Sequence, residues 1–538
     1  MDKTFFWAAF IAYSALMVYI GVVIYKKQLG HSKEKGIFEF WLAKRELPGI
    51  WLGTSITAGW LMLGWIGFGM SQIYLYGATA LWILPIPWFI LCFIIIWMVP
   101  FIRRLPSMSV PEAIERRYGK SARILLALFS AYVFISWTQA ELFMTGTLMS
   151  PFLGVKPWIC MSLFVIPIII YIYLGGFRAV VTTDVIQFGI MAIFMIILAV
   201  GAIMSASHAS NGDIIGTLRQ VSPPFSGKGE VFNLFFLGMV FPIVLLIGYL
   251  PGWMIEQDLV LRLQGAISTK EAKKGAISGL VLITTFVIVL PAIVAFCALV
   301  AFPPVNGAAA SAVDEKAYSI ISAFISQMPL GLAVFMLIGI IASQMSTIDT
   351  FTNVAAMPIA YDIIDPLLLK KSSDGTRLQV ARIVSAAVIV VGLLLAFVSE
   401  SLGDIYYISS GVLSACIAIP LFFIFWKRTT HAGVIASSLV GFIGTVGGYW
   451  YEYKYLSADA KAPLYYMNVL PQWLQGSFGY NYLAAGVLLS LGTIVAVSLA
   501  TEPSHERNLS FVRPEPVDGL AEFEQSCFVA EPVIVEKE

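Results

Sequence analysis

TSITAGWLMLGWIGFGM, residues 54–70, is apolar enough to lie in a bilayer, yet it carries four glycines, Gly59, Gly64, Gly67 and Gly69. A glycine inside a helix costs about 1 kcal/mol relative to alanine, so four together mark a place where a helix breaks easily. A second stretch of this kind, FPIVLLIGYLPGW at 241–253, carries Pro242, Gly248, Pro251 and Gly252. Glycine is also common in membrane helices simply because it lets backbones pack closely. The spacing of the two stretches along the chain separates these readings, and that requires counting the helices.

Of the 538 residues, 59% are hydrophobic and 12% charged, and the mean hydropathy is +0.85. Soluble domains carry about 25% charged residues, so the composition is that of a polytopic membrane protein whose main partner is the lipid bilayer. A net charge of +1 gives no sign of nucleic acid as a partner. Cys92, Cys160, Cys297, Cys416 and Cys527 are scattered, with no CxxC pair and no His/Cys cluster. Neither a disulfide framework nor a zinc site is expected. Residues 1–27, MDKTFFWAAFIAYSALMVYIGVVIYKK, lack a basic leader and a small-residue cleavage site, and read as a first membrane helix.

Spans of about 20 apolar residues are predicted near 5–25, 51–77, 80–101, 122–150, 158–174, 184–205, 232–254, 276–302, 329–362, 380–400, 403–426, 431–451 and 480–500. That is roughly thirteen spans by the length rule. The two interrupted stretches are the second and the seventh, five helices apart. Interrupted helices at matching positions of two five-helix halves predict an inverted-repeat transporter with its site at the breaks. The chain then divides into an extra N-terminal helix (1–30), a ten-helix core (45–428) with repeats of about 45–205 and 232–428, two further helices (429–500) and a tail (501–538). The tail is polar, acidic and Pro-containing, and is expected to be cytosolic and disordered.

Lys and Arg gather at 25–35, 103–123, 175–178, 262–274, 370–377 and 426–428, all on one side if the helices alternate. By the positive-inside rule the N-terminus lies outside and the C-terminus inside the cell membrane.

Within the ninth span, SQMSTIDT (343–350) sets Ser343, Ser346, Thr347 and Thr350, with Asn353 beyond, on one helical face. A single hydroxyl in a membrane helix commonly bonds back to the carbonyl four residues earlier. Five oxygen-bearing side chains on one face also suit a hard alkali cation, with carbonyl ligands from an unwound neighbouring helix.

Several motifs resemble those of the sodium:solute symporter family, which includes proline, pantothenate and sodium/glucose transporters. GGFRAVVTTDVIQ (175–187) looks like the family's GG-[FL]-[KR]-A-V-x-x-T-D-x-x-Q signature. EQDLVLRLQGAISTKEAKKG (256–275) is similar to its cytoplasmic loop. SQMSTIDTFTNVAAMPIAYDII (343–364) resembles its ion-binding helix, with Asp362 closing the motif, and FFIFWKRTTHAG (422–433) resembles the end of a later helix. The resemblance covers about residues 5–450. It implies a LeuT-type five-plus-five inverted-repeat bundle, Na+ as coupling ion, and symport (uptake) of a small organic solute by alternating access. It also implies a sodium site made of the Thr57, Trp60 and Ser343 carbonyls and the Ser346 and Thr347 hydroxyls. Asp184 occupies the position of a second-sodium ligand in some members, and Asp349 stands where those members carry a hydroxyl.

Acids within a membrane are costly and usually functional. Asp184, with Gln187 three residues on, also reads as a helix N-cap. Asp184 and Asp349 together could hold a second Na+ or share a proton, because like charges raise one pKa. Glu141, in FISWTQAELFMTG (134–146), lies mid-span with Trp137 and Gln139. The pocket is expected to draw on Trp60, Leu63, Gly64, Gln139, Glu141 and Glu256, the last also a possible gate. Arg262 reads as a solvated loop charge or a gate latch. Leu61, Met62, Leu63, Gly64 and Trp65 offer few side-chain hydrogen bonds, which speaks against a hexose and for a small amino acid or monocarboxylate. Proton coupling on the same fold and a transporter-like sensor module are the alternatives. No catalytic constellation appears in the spans, so an enzyme is not expected.

Overall fold

The computed structural model describes residues 3–31, 41–42, 45–105, 107–370, 372–456, 481–502 and 515–523, with backbone alone at 24–25, 27–31, 174–179 and 455–456. Among the described residues the chain is helical, with two isolated β-bridges, Leu47 to Ala266 and Val305 to Ala308. The elements that position the site are α1 (Lys3–His31), α2 (Gly49–Trp60), α3 (Leu63–Tyr76), α4 (Pro85–Arg103), α5 (Val110–Tyr118), α6 (Lys120–Leu153) and α7 (Pro157–Ala209). They continue with α8 (Val240–Trp253), α9 (Gln257–Gly265), α10 (Thr269–Ala301), α11 (Leu330–Leu368), α12 (Asp374–Phe397), α13 (Leu402–Phe425), α14 (His431–Lys454) and α15 (Asn481–Ala500).

Ten helices among the described residues are long and apolar enough to cross a membrane, or twelve when each bent pair counts as one span. The expected thirteen also counted Pro157–Tyr173, which is shorter than the rest. The bent pairs are α2 with α3, at 58°, and α8 with α9, at 44°. The first break falls between Gly59 and Gly64. Leu61 leaves helical geometry at ψ 54°, Met62 is extended at ψ 101°, and helix resumes at Leu63.

The second break lies later than the sequence predicts. It falls at Met254–Glu256, past Pro251 and Gly252, where the Gly252 N–H has already left the ladder to donate to Ser414 Oγ at 2.9 Å. The turns at 232–239 precede α8, so the predicted helix start at 232 is eight residues early. The run EQDLVLRLQG, predicted as a cytoplasmic loop, instead folds as α9 with every residue from Gln257 to Gly265 buried. Its charges satisfy one another inside the protein, which composition cannot reveal. A third difference concerns 174–179. The predicted loop there carries helical backbone, which joins Pro157–Tyr173 to Val180–Ala209 within α7.

Close backbone approach joins α2 to α10. Gly49 and Gly53 face Gly275 and Gly279, a small-xxx-small pair on each helix. A Cβ at Gly53 would sit 2.6 Å from the Gly275 carbonyl oxygen. The ion-binding candidate α11 runs through the centre, buried from Met336 to Met357 except Ile338, with Phe351 against Trp137 of α6 at 5.3 Å.

The tail is expected to be disordered, but residues 515–523 are seated on the protein. Arg103 is buried at the end of α4 and donates to the Leu263, Gln264 and Ala266 carbonyls and to Asp518 Oδ1 at 2.8 Å. Asp518 also accepts from the Thr269 N–H and hydroxyl at the start of α10. Arg45 donates to Gln264 and to the Val517 carbonyl and lies 4.3 Å over the Phe523 ring. A carboxylate meeting a buried guanidinium fixes this segment.

Candidate functional site

The break between α2 and α3 rearranges backbone donors. In an unbroken helix the Gly64 N–H would bond the Trp60 carbonyl. Here it donates to Glu141 Oε2 at 2.9 Å, which frees the Trp60 carbonyl from the ladder. The Thr57 carbonyl accepts the Leu61 N–H at 2.8 Å. Glu141 also takes the Tyr406 hydroxyl on Oε1 at 2.7 Å. It therefore caps the N-terminus of α3, a helix end that favours negative charge. Gly64 is required at this point, because a Cβ there would lie 2.4 Å from the Tyr406 hydroxyl oxygen and 2.6 Å from Glu141 Oε1.

Facing the break, three α11 hydroxyls donate their protons away. Ser343 Oγ donates to the Leu61 carbonyl at 2.5 Å, Ser346 Oγ to Asp184 Oδ1 at 2.6 Å, and Thr347 Oγ1 to the Ser343 carbonyl at 3.1 Å. Thr347 thus makes the back-bond that is ordinary for a membrane threonine. A hydroxyl that donates keeps its oxygen lone pairs. Leu61, whose carbonyl meets Ser343, was not among the expected residues, and only the fold reveals it.

Below the break, buried charges knit α2, α7, α9 and α11 together. Arg262 is fully buried, so it is not a solvated loop charge. Its guanidinium donates to Ser55 Oγ, Thr350 Oγ1, Asp184 Oδ2 (3.2 Å) and Asp258 Oδ2 (3.3 Å). Ser55 Oγ donates in turn to Asp184 Oδ2 at 2.7 Å, and Trp60 Nε1 to Asp258 Oδ2 at 3.0 Å. Asp184 lies well inside α7, so the expected N-cap role does not hold; there is no helix start beside it. Gln187 contacts Met17 Sδ instead. Asp349 accepts the Tyr171 hydroxyl on Oδ2 at 2.7 Å, while its buried Oδ1 has no hydrogen-bond partner.

The remaining expected pocket residues divide. Leu63, Gly64 and Glu141 are buried at the start of α3, the Trp60 ring lies tilted 5.5 Å from that of Trp88, and Glu256 is buried against Asp258 at the second break. Gln139 does not join them. Its amide donates to Ser399 Oγ at 2.8 Å at the end of α12. Two residues apart on a helix point to opposite sides, so Gln139 cannot share the face of Glu141. The sequence also missed the rings around the break: Trp65 lies 4.2 Å from Tyr406 and 6.0 Å from Trp253, centroid to centroid.

Two bent helices, with oxygen donors and buried carboxylates at the bends, define an inverted-repeat secondary transporter. The chain belongs to the sodium:solute symporter family, whose model matches residues 40–441. It is 26% identical over 459 residues to the sodium/glucose cotransporter of Vibrio parahaemolyticus, covering 79% of this chain and 81% of that one. To the high-affinity proline transporter PutP of Bacillus subtilis it is 24% identical, covering 73% and 78%. To the sodium/sialic acid symporter NanT of Aliivibrio fischeri it is 26% identical, covering 71% and 74%. The fold matches a substrate-bound outward-open Na+-coupled sialic acid symporter at TM-score 0.72 and 20% identity, over 94% of this chain and 99% of that one. The fold is thus of the LeuT type. The protein is a Na+-coupled symporter of a small organic solute and not an enzyme.

Proposed function

We propose that the coupling Na+ binds where α11 faces the first break, on the carbonyls of Thr57, Trp60 and Ser343 and the hydroxyls of Ser346 and Thr347. One observation carries this reading. The Ser343, Ser346 and Thr347 hydroxyls all donate elsewhere and keep their oxygens for a cation, beside a carbonyl that the break has freed. A site of neutral oxygens suits an ion that must enter and leave in every cycle.

Asp184 and Asp349 form the second cation or proton position. The Asp184 charge is already met by Arg262, so Asp349, with one buried oxygen unpartnered, is the more available of the two. The solute sits at the same level, against Leu63, Gly64, Glu141 and the rings beside them. The core at 45–428 works as two repeats in the cell membrane, with the N-terminus outside and the tail inside. Arg103 and Arg117 support that orientation, because they bond to the carbonyls of Gln264 at the end of α9 and Trp426 just past α13.

The test is electrical and needs no solute. Proteoliposomes adsorbed to a solid-supported membrane should give a transient current on a Na+ jump at constant ionic strength. Ser346→Ala with Thr347→Ala should abolish it. A current of wild-type size in the double variant, or one evoked equally by a proton jump alone, would overturn the assignment.

A further inference from the structure

Beside the freed carbonyl, α3, α8 and α13 turn aromatic rings toward one another. Trp65 lies 4.2 Å from Tyr406, 6.0 Å from Trp253, and 6.4 Å from both Tyr249 and Tyr407. Tyr249 stacks on Trp253 at 4.8 Å and on Tyr407 at 5.8 Å. All five rings are buried. Ring faces carry partial negative charge and hold ammonium groups within about 6 Å, quaternary ones in particular. These ring-to-ring contacts span the same range, so a bound ammonium can replace them with contacts of similar length.

The charges around the two breaks point the same way independently. Glu141 touches this cluster through Tyr406, Asp258 accepts from Trp60 at the first break, and Asp184, Asp349 and Glu256 are buried as well. Among the described residues Arg262 is paired with Asp184 and Asp258, while Glu141 is met by the neutral Gly64 N–H and Tyr406 hydroxyl. An anionic solute would deepen that imbalance and find no basic group to receive it, whereas a cationic group relieves it.

We propose that the solute carries an ammonium group, quaternary or protonated, seated on the ring faces of Trp65, Tyr249, Trp253 and Tyr407 beside Glu141. This rests on the reading that solute and Na+ bind at the breaks, and it adds the solute's chemical class. The ammonium supplies the positive charge that the carboxylates lack. Its methyl or methylene groups pack against the ring faces.

The test is a thermal-shift titration of the purified full-length protein in Na+ and in K+. The probes are tetramethylammonium, choline, and 3,3-dimethyl-1-butanol, the neutral carbon isostere of choline, with glucose, lactate and N-acetylneuraminate as contrasts. Tetramethylammonium and choline should raise the melting temperature, more so in Na+, with the isostere at least tenfold weaker. Trp65→Leu and, separately, Glu141→Gln should each weaken choline at least tenfold. The melting response to Na+ alone certifies that each variant is folded with its ion site intact. If that response persists while glucose, lactate or N-acetylneuraminate binds, or while no ammonium probe does, the solute class is overturned and the sodium assignment stands. If choline and its isostere bind equally, the cationic basis is likewise overturned. If the wild type does not respond to Na+ at all, it is the sodium assignment that fails, and the solute class is judged on the choline-to-isostere ratio in either salt.

Discussion

At the scale of single residues, Gly64 and Asp349 carry the sharpest expectations. Gly64 has Glu141 and Tyr406 where a side chain would go, at 2.6 and 2.4 Å from an added Cβ. Gly64→Ala must push the carboxylate off the α3 N-terminus, and overpacking of this kind costs about 1–3 kcal/mol. We expect solute transport to fall at least tenfold while the protein remains folded and responsive to Na+. Transport at the wild-type rate would show that the Glu141 cap is dispensable. Asp349→Asn keeps an acceptor for Tyr171 but removes the charge. The Na+ dependence of transport should then move to weaker apparent affinity or a Hill coefficient closer to unity. If Na+ affinity, stoichiometry and pH profile all stay as in the wild type, the carboxylate is structural.

At the scale of helices, much of the plan was legible. The glycine cluster of the first stretch marks its break to within two residues, because glycine is where a ladder is cheapest to open. The stripe Ser343, Ser346, Thr347 was legible from periodicity alone. The second break was harder, since Pro251 and Gly252 loosen α8 but the bend falls at Met254–Glu256. Helix α9 was read as a loop because Asp258, Arg262 and Gln264 look solvated until their partners are known. Those partners come from α2, α4 and α7, far away in the chain, and no local pattern encodes such pairing. The same holds for Asp184, whose cap-like motif lies inside a continuous helix.

The ion pairs of Arg262 join α2, α7, α9 and α11, so they also test how the breaks are held. Arg262→Gln leaves Asp184 and Asp258 buried without their counter-charge, and breaking a buried pair on one side costs about 3–5 kcal/mol. The melting temperature should drop well below the wild type's. Asp184→Asn added to Arg262→Gln should recover part of the loss. No recovery would mean that the two residues act independently.

For the whole molecule, the seated tail ties together the ends of α4, α9 and α10. Burial alone would raise the Asp518 pKa, but the Arg103 guanidinium and the Thr269 donors outweigh it and hold the carboxyl below the usual aspartate range. A depressed pKa in the folded state stabilises above the ordinary aspartate value of about 3.9 and is lost as pH falls through the folded one. Asp518→Asn should therefore lower the melting temperature at pH 7, with the gap to wild type closing only on acidification below about pH 4. A gap that closes between pH 5 and 7 would assign the effect to another group.

The central claim, that Na+ binds where α11 faces the first break, is tested most directly by Na+ titration of the melting temperature. Purified wild type is compared with Ser346→Ala plus Thr347→Ala, with K+ replacing Na+ to hold ionic strength. A ligand that binds only the folded state stabilises it by RT ln(1 + [Na+]/Kd). The wild type should rise steadily with Na+ and the double variant should stay flat. Equal rises in both would place the ion elsewhere.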